Sequence, residues 1–341
     1  MGIPSYFVHV VKNHSNIIKK FENDTIDIQN LYIDSNSIIY DGIRLIEYNN
    51  NNDNNDAFER KLITLVCEKI LYYINLIQPS NRVLIAFDGV APVAKLEQQR
   101  NRRYKTWYTN NYISDSSQHD DNNIIQPKWD TTAITPGTKF MDKLCKGVTQ
   151  YFNEKNLKKT KSIIKNRKDL EIIISGSNYC GEGEHKIFEY IRDNENTLKN
   201  MKTVIYGLDA DLIMLTINHL HVCKKMYLFR ETPDFIRSID KSLDPNSLYV
   251  IHIPAFKNQL VYYLNNDVEP TTEAESNRIY DYIFLCFMLG NDFLPHFPAL
   301  NIRRNGMDIL LETYRNILGK HKQNIISDGK IVWKSFRKII K

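Results

Sequence analysis

The sequence predicts an α/β fold with a mostly parallel, twisted central sheet and helices on both faces. Three observations predict it. Short apolar runs at 30–34, 83–87, 171–174, 203–205 and 226–229 have the length and composition of buried strands. Segments of helical period separate most of them, the pattern of strand and helix alternating along the chain. Acids stand at or just past the strand ends, the edge at which open parallel sheets bind ligands.

Taken in order, the first strand ends in Asp34. Residues 49–56, almost wholly Asn and Asp, read as a low-complexity loop, and the heavy use of Asn, Ile and Lys reflects nucleotide bias. Phe58, Leu62, Leu65, Val66, Leu71 and Ile74 have helical spacing and predict a helix over 57–77. The second strand runs into Asp88. A helix over 94–108 gives way to a polar stretch, and mobile loops are expected near 49–56 and 109–130. Thr135-Pro136-Gly137 reads as a helix start, with Thr135 as N-cap and the helix running to about Asn156. The third strand leads to Gly181-Glu182-Gly183-Glu184 and a helix through Ile191. The fourth runs out through Tyr206-Gly207-Leu208 to Asp209-Ala210-Asp211 before an apolar run resumes. Beyond the fifth strand, an apolar helix over 279–289 stops at Gly290, a natural C-cap, followed by Asn291-Asp292.

Asp209 and Asp211, at i and i+2 of an extended backbone, point the same way roughly 7 Å apart at Cα. That suits two divalent cations about 4 Å apart. The plain alternative is one capping and one solvated aspartate. Asp34, Asp88, Glu182 and Glu184 also fall at strand ends, and Asp292 follows a buried helix. Seven such carboxylates in one cleft raise one another's pKa and require compensating cations. Oxygen ligands without His or Cys select Mg2+, with Mn2+ as the substitute. Glu182 and Glu184 would diverge by roughly 200° on a regular helix, which puts them in the glycine-flanked turn at its start. A G-x-G lacking its third glycine is no dinucleotide fingerprint.

Lys95, Gln99, Arg102, Arg103 and Thr106 form one stripe of the helix after Asp88, turned away from Glu97. The stripe is a solvated face or a grip for a terminal phosphate. Tyr40, Trp107 and Tyr108 are candidates for base stacking or for core. His219 and His221 lack partners that would complete a tetrahedral set and read as structural.

The 341 residues suffice for a large core, and 42% hydrophobic with 25% charged residues is the composition of a globular chain. No signal-peptide pattern or membrane-length apolar run is found, and Tyr6 stands where N-myristoylation wants Ser or Thr. Five cysteines scattered singly predict reduced thiols rather than a zinc site or disulfide framework. The expected compartment is intracellular, the cytoplasm before the nucleus. A net charge of +5 permits nucleic-acid binding without requiring it.

Eight stretches, in order along nearly the whole chain, resemble the amino-terminal catalytic region of the XRN-type 5′→3′ exoribonucleases. They are Met1-Gly2-Ile3-Pro4, 31–36, 87–92 (FDGVAP), 98–103 (QQRNRR), 134–138 (ITPGT), 181–186 (GEGEHK), 206–215 and 290–295. The resemblance implies a PIN/FEN-like fold and one nuclease domain over 1–341, with the family's second conserved region absent or truncated. It implies a two-metal Mg2+ site at Asp34, Asp88, Glu182, Glu184, Asp209, Asp211 and Asp292, and a 5′-monophosphate pocket at Lys95, Gln99, Arg102 and Arg103. The substrate would be single-stranded RNA with a 5′-monophosphate and the products 5′-mononucleotides, with a protein partner replacing the missing region. Tyr40 stands where the family has a stacking histidine, Val93 replaces an arginine of the phosphate helix, and Tyr179-Cys180 replaces Val-Pro. A flap-type DNA nuclease and a catalytically idle 5′-end-binding RNA protein are the alternatives to that reading.

Overall fold

The computed structural model describes residues 3, 5–21, 27–48, 55–109, 129–153, 170–231, 236–244 and 247–341. In chain order its main elements begin with α1 (Tyr6–Asn13), β1 (Ile18–Lys20), β2 (Asn30–Asp34), α2 (Asn36–Tyr48), α3 (Asn55–Ile77), β3 (Arg82–Ala86), α4 (Val93–Tyr108) and α5 (Lys139–Tyr151). There follow β4 (Glu171–Ser175), α6 (Gly183–Asp193), β5 (Lys202–Tyr206), α7 (Asp211–Asn218), β6 (Lys225–Arg230), β7 (Tyr249–His252) and α8 (Ile253–Leu264). The chain closes with α9 (Arg278–Phe287), α10 (Gly306–Ile317), the hairpin of β8 (Ile326–Ser327) and β9 (Lys330–Ile331), and α11 (Trp333–Ile339). These elements form two compact units, Gln29–Glu189 and Met1–Ile28 with Tyr190–Lys341.

In the unit Gln29–Glu189, β2, β3 and β4 run parallel in that order, with Asp34 opposite Ala86 and Ala86 opposite Ser175. Their carboxyl ends therefore lie along one edge. Consecutive residues of a strand point to opposite faces, and Leu31, Tyr32 and Ile33 are all fully buried, as are Val83 to Ala86, so both faces are covered. Phe58, Leu62, Val66, Ile70 and Tyr73 make the buried stripe of α3, and Phe140, Met141, Leu144 and Val148 that of α5. Trp129 is buried against Phe58 and Phe140, at ring-centroid distances of 5.3 and 5.0 Å.

Three boundaries differ from expectation. The N-cap of α5 is Thr138, whose Oγ1 accepts Met141 N at 3.3 Å, whereas Thr135 donates to Thr132 O at 2.7 Å. The intervening Gly137 has φ +88°, a turn conformation that postpones the helix by one Thr. The same helix ends at Tyr151, short of Asn156, which lies outside the described residues. Asn55 and Asp56 open α3 rather than belonging to a loop; residues 49–54 and 110–128, the rest of the expected mobile loops, lie outside the described residues, as do Met1, Gly2 and Pro4.

In the other unit the strand order is β1-β7-β6-β5. The β5–β6 pair is parallel, and β7 pairs antiparallel with β6 and with β1. The mostly parallel α/β fold is the one expected, but this antiparallel edge is not. At three and four residues, β1 and β7 are too short to show a period. Helix α9 is fixed by two buried charges. Arg278 donates to Asn265 Oδ1 at 2.6 Å, Leu264 O at 3.1 Å and Gly319 O at 3.3 Å. Asp281 accepts from Tyr314 Oη at 2.5 Å, Ile325 N at 2.9 Å and Ile326 N at 2.6 Å. All five cysteines are free thiols, and no helix among the described residues is long and apolar enough to cross a membrane.

Candidate active site

The parallel register of β2 and β3 places Asp34, the last residue of its strand, at the edge from which the chain continues to Asp88. Asp88 is held at three points. Its Oδ2 accepts Asn36 Nδ2 at 2.6 Å, its amide donates to Asn36 Oδ1 at 3.0 Å, and its Oδ1 accepts Gly183 N, the first residue of α6, at 2.7 Å. That last bond puts the carboxylate on the positive end of a helix dipole. Glycine is required at 183, because a Cβ there would stand 2.4 Å from Asp34 Oδ1 and 3.3 Å from Ala86 O. The loop carrying Asp88 is stitched to the one carrying Glu182 by Gly89 N to Gly181 O at 2.8 Å and Gly181 N to Val90 O at 2.9 Å. Gly181 has φ +91°, and a Cβ on Gly89 would fall 1.7 Å from Tyr179 O.

Glu182 and Glu184 flank Gly183 at the start of α6, as the glycine-flanked turn predicts, and both are buried. Ligand atoms of Glu182, Glu184 and His185 lie within 4.8 Å of one another, close enough to hold a metal ion. Glu182 also accepts Lys95 Nζ at 2.8 Å and Gln99 Nε2 at 3.5 Å. Lys95 is the buried residue of α4, so the helix turns its Lys95–Gln99 face toward the acids. Arg103 on that helix is half-buried and Arg102 exposed. Lys186 is buried, donating to Phe87 O and Gly176 O at 2.8 Å each, and so ties the ends of β3 and β4 beneath the site.

Burial pushes the Asp88 carboxyl up to about 6, the Glu182 charge adds to this, and the Gly183 N–H, Lys95 and Lys186 oppose it. Burial also raises the Tyr40 phenol, with the Asp88 charge raising it further and Arg102 lowering it. The half-exposed Tyr40 ring on α2 therefore stands near both the acids and the basic stripe.

In the other unit Asp209 lies in the loop after β5, and Asp211 is the first residue of α7, where it accepts Ile3 N at 3.2 Å. Ala210 is helical, with φ −68° and ψ −22°, so the two aspartates are not an i, i+2 pair on extended backbone. They remain close. The Asp211 carboxyl is raised first by burial, then by the charges of Asp292 and Asp209. Arg230, at the end of β6, is pushed down to about 10 by burial, against the raising effects of Asp209 and Tyr206. Asp292 sits in a tight loop in which Asn291 Oδ1 accepts Phe293 N and Leu294 N at 2.9 and 2.8 Å. Gly290 has φ +85°, and a Cβ there would meet His296 N at 2.8 Å.

The structure thus gathers Asp34, Asp88, Glu182, Glu184, Lys95, Gln99 and Tyr40 in one unit and Asp209, Asp211 and Asp292 in the other. In each unit one carboxyl, Asp88 or Asp211, is raised by burial first and by neighbouring carboxylate charge after it, which is the mark of a site short of positive charge. The oxygen donors suit a hard divalent cation. Sequence reasoning missed Asn36, Lys186 and Arg230, whose side chains gain meaning only from their partners. His219 is structural as read, its Nδ1 2.7 Å from Leu215 O and its Nε2 2.9 Å from Arg192 Nη1. His221 Nδ1 lies 2.8 Å from Asn218 O. Trp107 and Tyr108 are exposed and not core.

Residues 1–232 match the family model described as the XRN 5′-3′ exonuclease N-terminus, and residues 273–341 match one described as the Xrn1 helical domain. The chain belongs to the XRN family of 5′-3′ exonucleases. The second match contains 290–295, the last of the eight stretches that carry the resemblance. The chain is 32% identical to 5′-3′ exoribonuclease 1 of Saccharomyces cerevisiae over 341 aligned residues, covering 97% of this chain and 22% of the relative. It is 30% identical to 5′-3′ exoribonuclease 2 of Eremothecium gossypii, covering 100% of this chain and 40% of the relative. The chain therefore spans only between 22% and 40% of the length of these two relatives. Among solved structures, the catalytic core of Rad2 in complex with DNA substrate aligns with a TM-score of 0.44 at 11% identity, over 99% of this chain and 85% of that one.

Proposed function

We propose that this chain is a divalent-metal-dependent 5′→3′ exoribonuclease that hydrolyses 5′-monophosphorylated single-stranded RNA to 5′-mononucleotides. The observation that carries the reading is the position of Glu182, whose carboxylate lies near Glu184 and His185 and also accepts Lys95 and Gln99. Metal-binding acids and anion-binding donors meet at one residue, which is the chemistry of cutting beside a terminal phosphate. The family match and the relatives' names agree with it.

Asp34, Asp88, Glu182 and Glu184 in one unit, and Asp209, Asp211 and Asp292 in the other, would hold Mg2+ ions, or Mn2+ in their place. Bound there, the ions supply Lewis acidity for the attacking water and the departing 3′-oxygen. Lys95, Gln99, Arg102 and Arg103 receive the 5′-phosphate through charge-assisted hydrogen bonds. Lys95 is already desolvated against Glu182, so it exchanges one oxyanion for another at little cost in order. Tyr40 stacks on the first nucleotide. Asn36 keeps the Asp88 carboxylate oriented, and Lys186 keeps the β3 and β4 ends from spreading apart. Donors saturated by one phosphate reject a triphosphate or capped end, and a 5′-hydroxyl leaves them without their anion.

The test is incubation in Mg2+ with matched RNAs bearing 5′-monophosphate, 5′-hydroxyl or 5′-triphosphate ends. Nucleotide release is expected from the monophosphate alone, and Lys95→Met should abolish the preference. Equal rates on all three ends would remove the phosphate pocket, and binding without cleavage would remove the nuclease reading.

A further inference from the structure

Arg230 closes β6 at its carboxyl edge, where the parallel register sets Phe229 opposite Tyr206 and the chain of β5 runs on to Asp209. Phe229 is fully buried, and Arg230, the next residue, points to the other face of the sheet, half-buried. There its guanidinium carbon lies 3.7 Å from the centroid of the Phe7 ring of α1. That contact holds the head of a long side chain in one place. The groups whose charges act on it are Asp209 and Tyr206, and Asp209 acts in turn, with Asp292, on Asp211. The cation therefore stands beside the three aspartates of its own unit. Its donors are not spent on them. No ion pair joins Arg230 to Asp209, and Arg230 Nε, shielded from solvent, has no acceptor among the described residues.

A guanidinium withdrawn from water usually spends its N–H groups on a carboxylate, two at a time. An arginine present only to balance Asp209 would be hydrogen-bonded to it. A buried donor on a charged group is costly to leave without an acceptor, so its persistence points to one that arrives from outside the chain. The planar, weakly hydrated guanidinium is suited to an oxyanion, phosphate above all. We propose that Arg230 is a further contact for the RNA, donating from Nε and a neighbouring Nη to a non-bridging oxygen of a phosphodiester held over Asp209, Asp211 and Asp292. The inference rests on the reading of this chain as an RNA nuclease. It adds a phosphate donor in the unit that does not contain the Lys95–Gln99 pocket.

The experiment is a thermodynamic cycle between Arg230 and single oxygens of the RNA. Fluorescence anisotropy follows binding by the full chain, wild type and Arg230→Gln, with Ca2+ in place of Mg2+ and intact RNA verified by electrophoresis. The probes are 5′-monophosphorylated oligouridylates in which the first, second or third phosphodiester is a neutral methylphosphonate of one configuration. At one linkage and configuration the methylphosphonate should weaken wild-type binding about tenfold and Arg230→Gln binding not at all. Unmodified RNA should bind Arg230→Gln about tenfold more weakly than wild type. Equal methylphosphonate penalties in the two proteins at every linkage overturn the proposal. If the penalties are equal while calorimetry shows a changed Mn2+ affinity in RNA-free Arg230→Gln, the arginine only balances Asp209 and the proposal fails. If Arg230→Gln weakens binding of 5′-UMP and leaves the penalties equal, the anion is the released nucleotide, and the proposal fails as well. Should the Gln variant not fold, Arg230→Lys reads the same cycle, because it keeps the charge without the planar fork. A penalty reduced to about threefold in Lys supports the contact, and one equal to that of wild type overturns it. Coupling between Arg230 and one phosphodiester, without any cleavage by wild type in Mg2+, would overturn the nuclease reading and leave the RNA contact standing.

Discussion

Asp88 is oriented by Asn36 and Gly183 N, yet burial raises its pKa to about 6. A folded value above the unfolded one, near 4, means that the folded state binds the extra proton. Stability from this group is therefore fully present below pH ~4, declines as pH rises toward 6, and stays lower above it, by about 3 kcal/mol to an order of magnitude. A divalent ion competes with that proton. Calorimetric titration should show Mg2+ or Mn2+ affinity falling about tenfold per pH unit below ~6 and nearly flat above ~7, with Asp88→Asn flattening the slope. Gly183→Ala should cost about 1–3 kcal/mol in chemical denaturation and weaken metal binding, because the added methyl collides with Asp34 Oδ1. The acids themselves were legible in the sequence, since carboxylates at strand ends are rare enough to be noticed together. Asn36 and Lys186 were not, because Asn and Lys are ordinary surface residues until a partner from a distant segment is placed against them.

The elements that present the acids were readable where periodicity was strong and hidden where it was weak. β2, β3 and β5 are short, continuous apolar runs, and their ends were predicted to within a residue or two. The Asp209–Asp211 segment was misread as extended because an apolar run after an acid looks the same at the end of a strand as at the start of a helix; here Asp211 begins α7. Arg278 and Asp281 were overlooked for another reason. Asp281 sits on the helix read as apolar over 279–289 and Arg278 just before that reading's start, and both are nearly inaccessible, at 0% and 1% exposure. They join α9 to the end of α8, to α10 and to the segment entering β8. Removing the acceptor strands three buried donors, so Asp281→Ala should destabilise the protein by about 3 kcal/mol or more, read as a lower urea midpoint with an unchanged slope. A loss below about 1 kcal/mol would mean that water replaces the carboxylate and that the network is not structural.

Across the whole molecule, the two compact units each carry a carboxyl raised by burial and a neighbouring charge, Asp88 in one and Asp211 in the other, and the chain's first 28 residues belong with its second half. That interleaving was not legible in the sequence, because it depends on β1 pairing with β7 in a register that joins Ile18 to Ile251. The basic character was legible only in part. A net charge of +5 spread over 341 residues says little, whereas α4 carries five basic residues and sets Lys95 and Gln99 against Glu182. The measurement that most directly tests the central claim is a time course in Mg2+ on 5′-monophosphorylated RNA carrying a 3′-end label. The account predicts 5′-mononucleotides as the first products, progressive shortening of the labelled strand from its 5′ end, and complete arrest by EDTA. Internal fragments that keep the label, release beginning at the 3′ end, or hydrolysis that survives EDTA would contradict it.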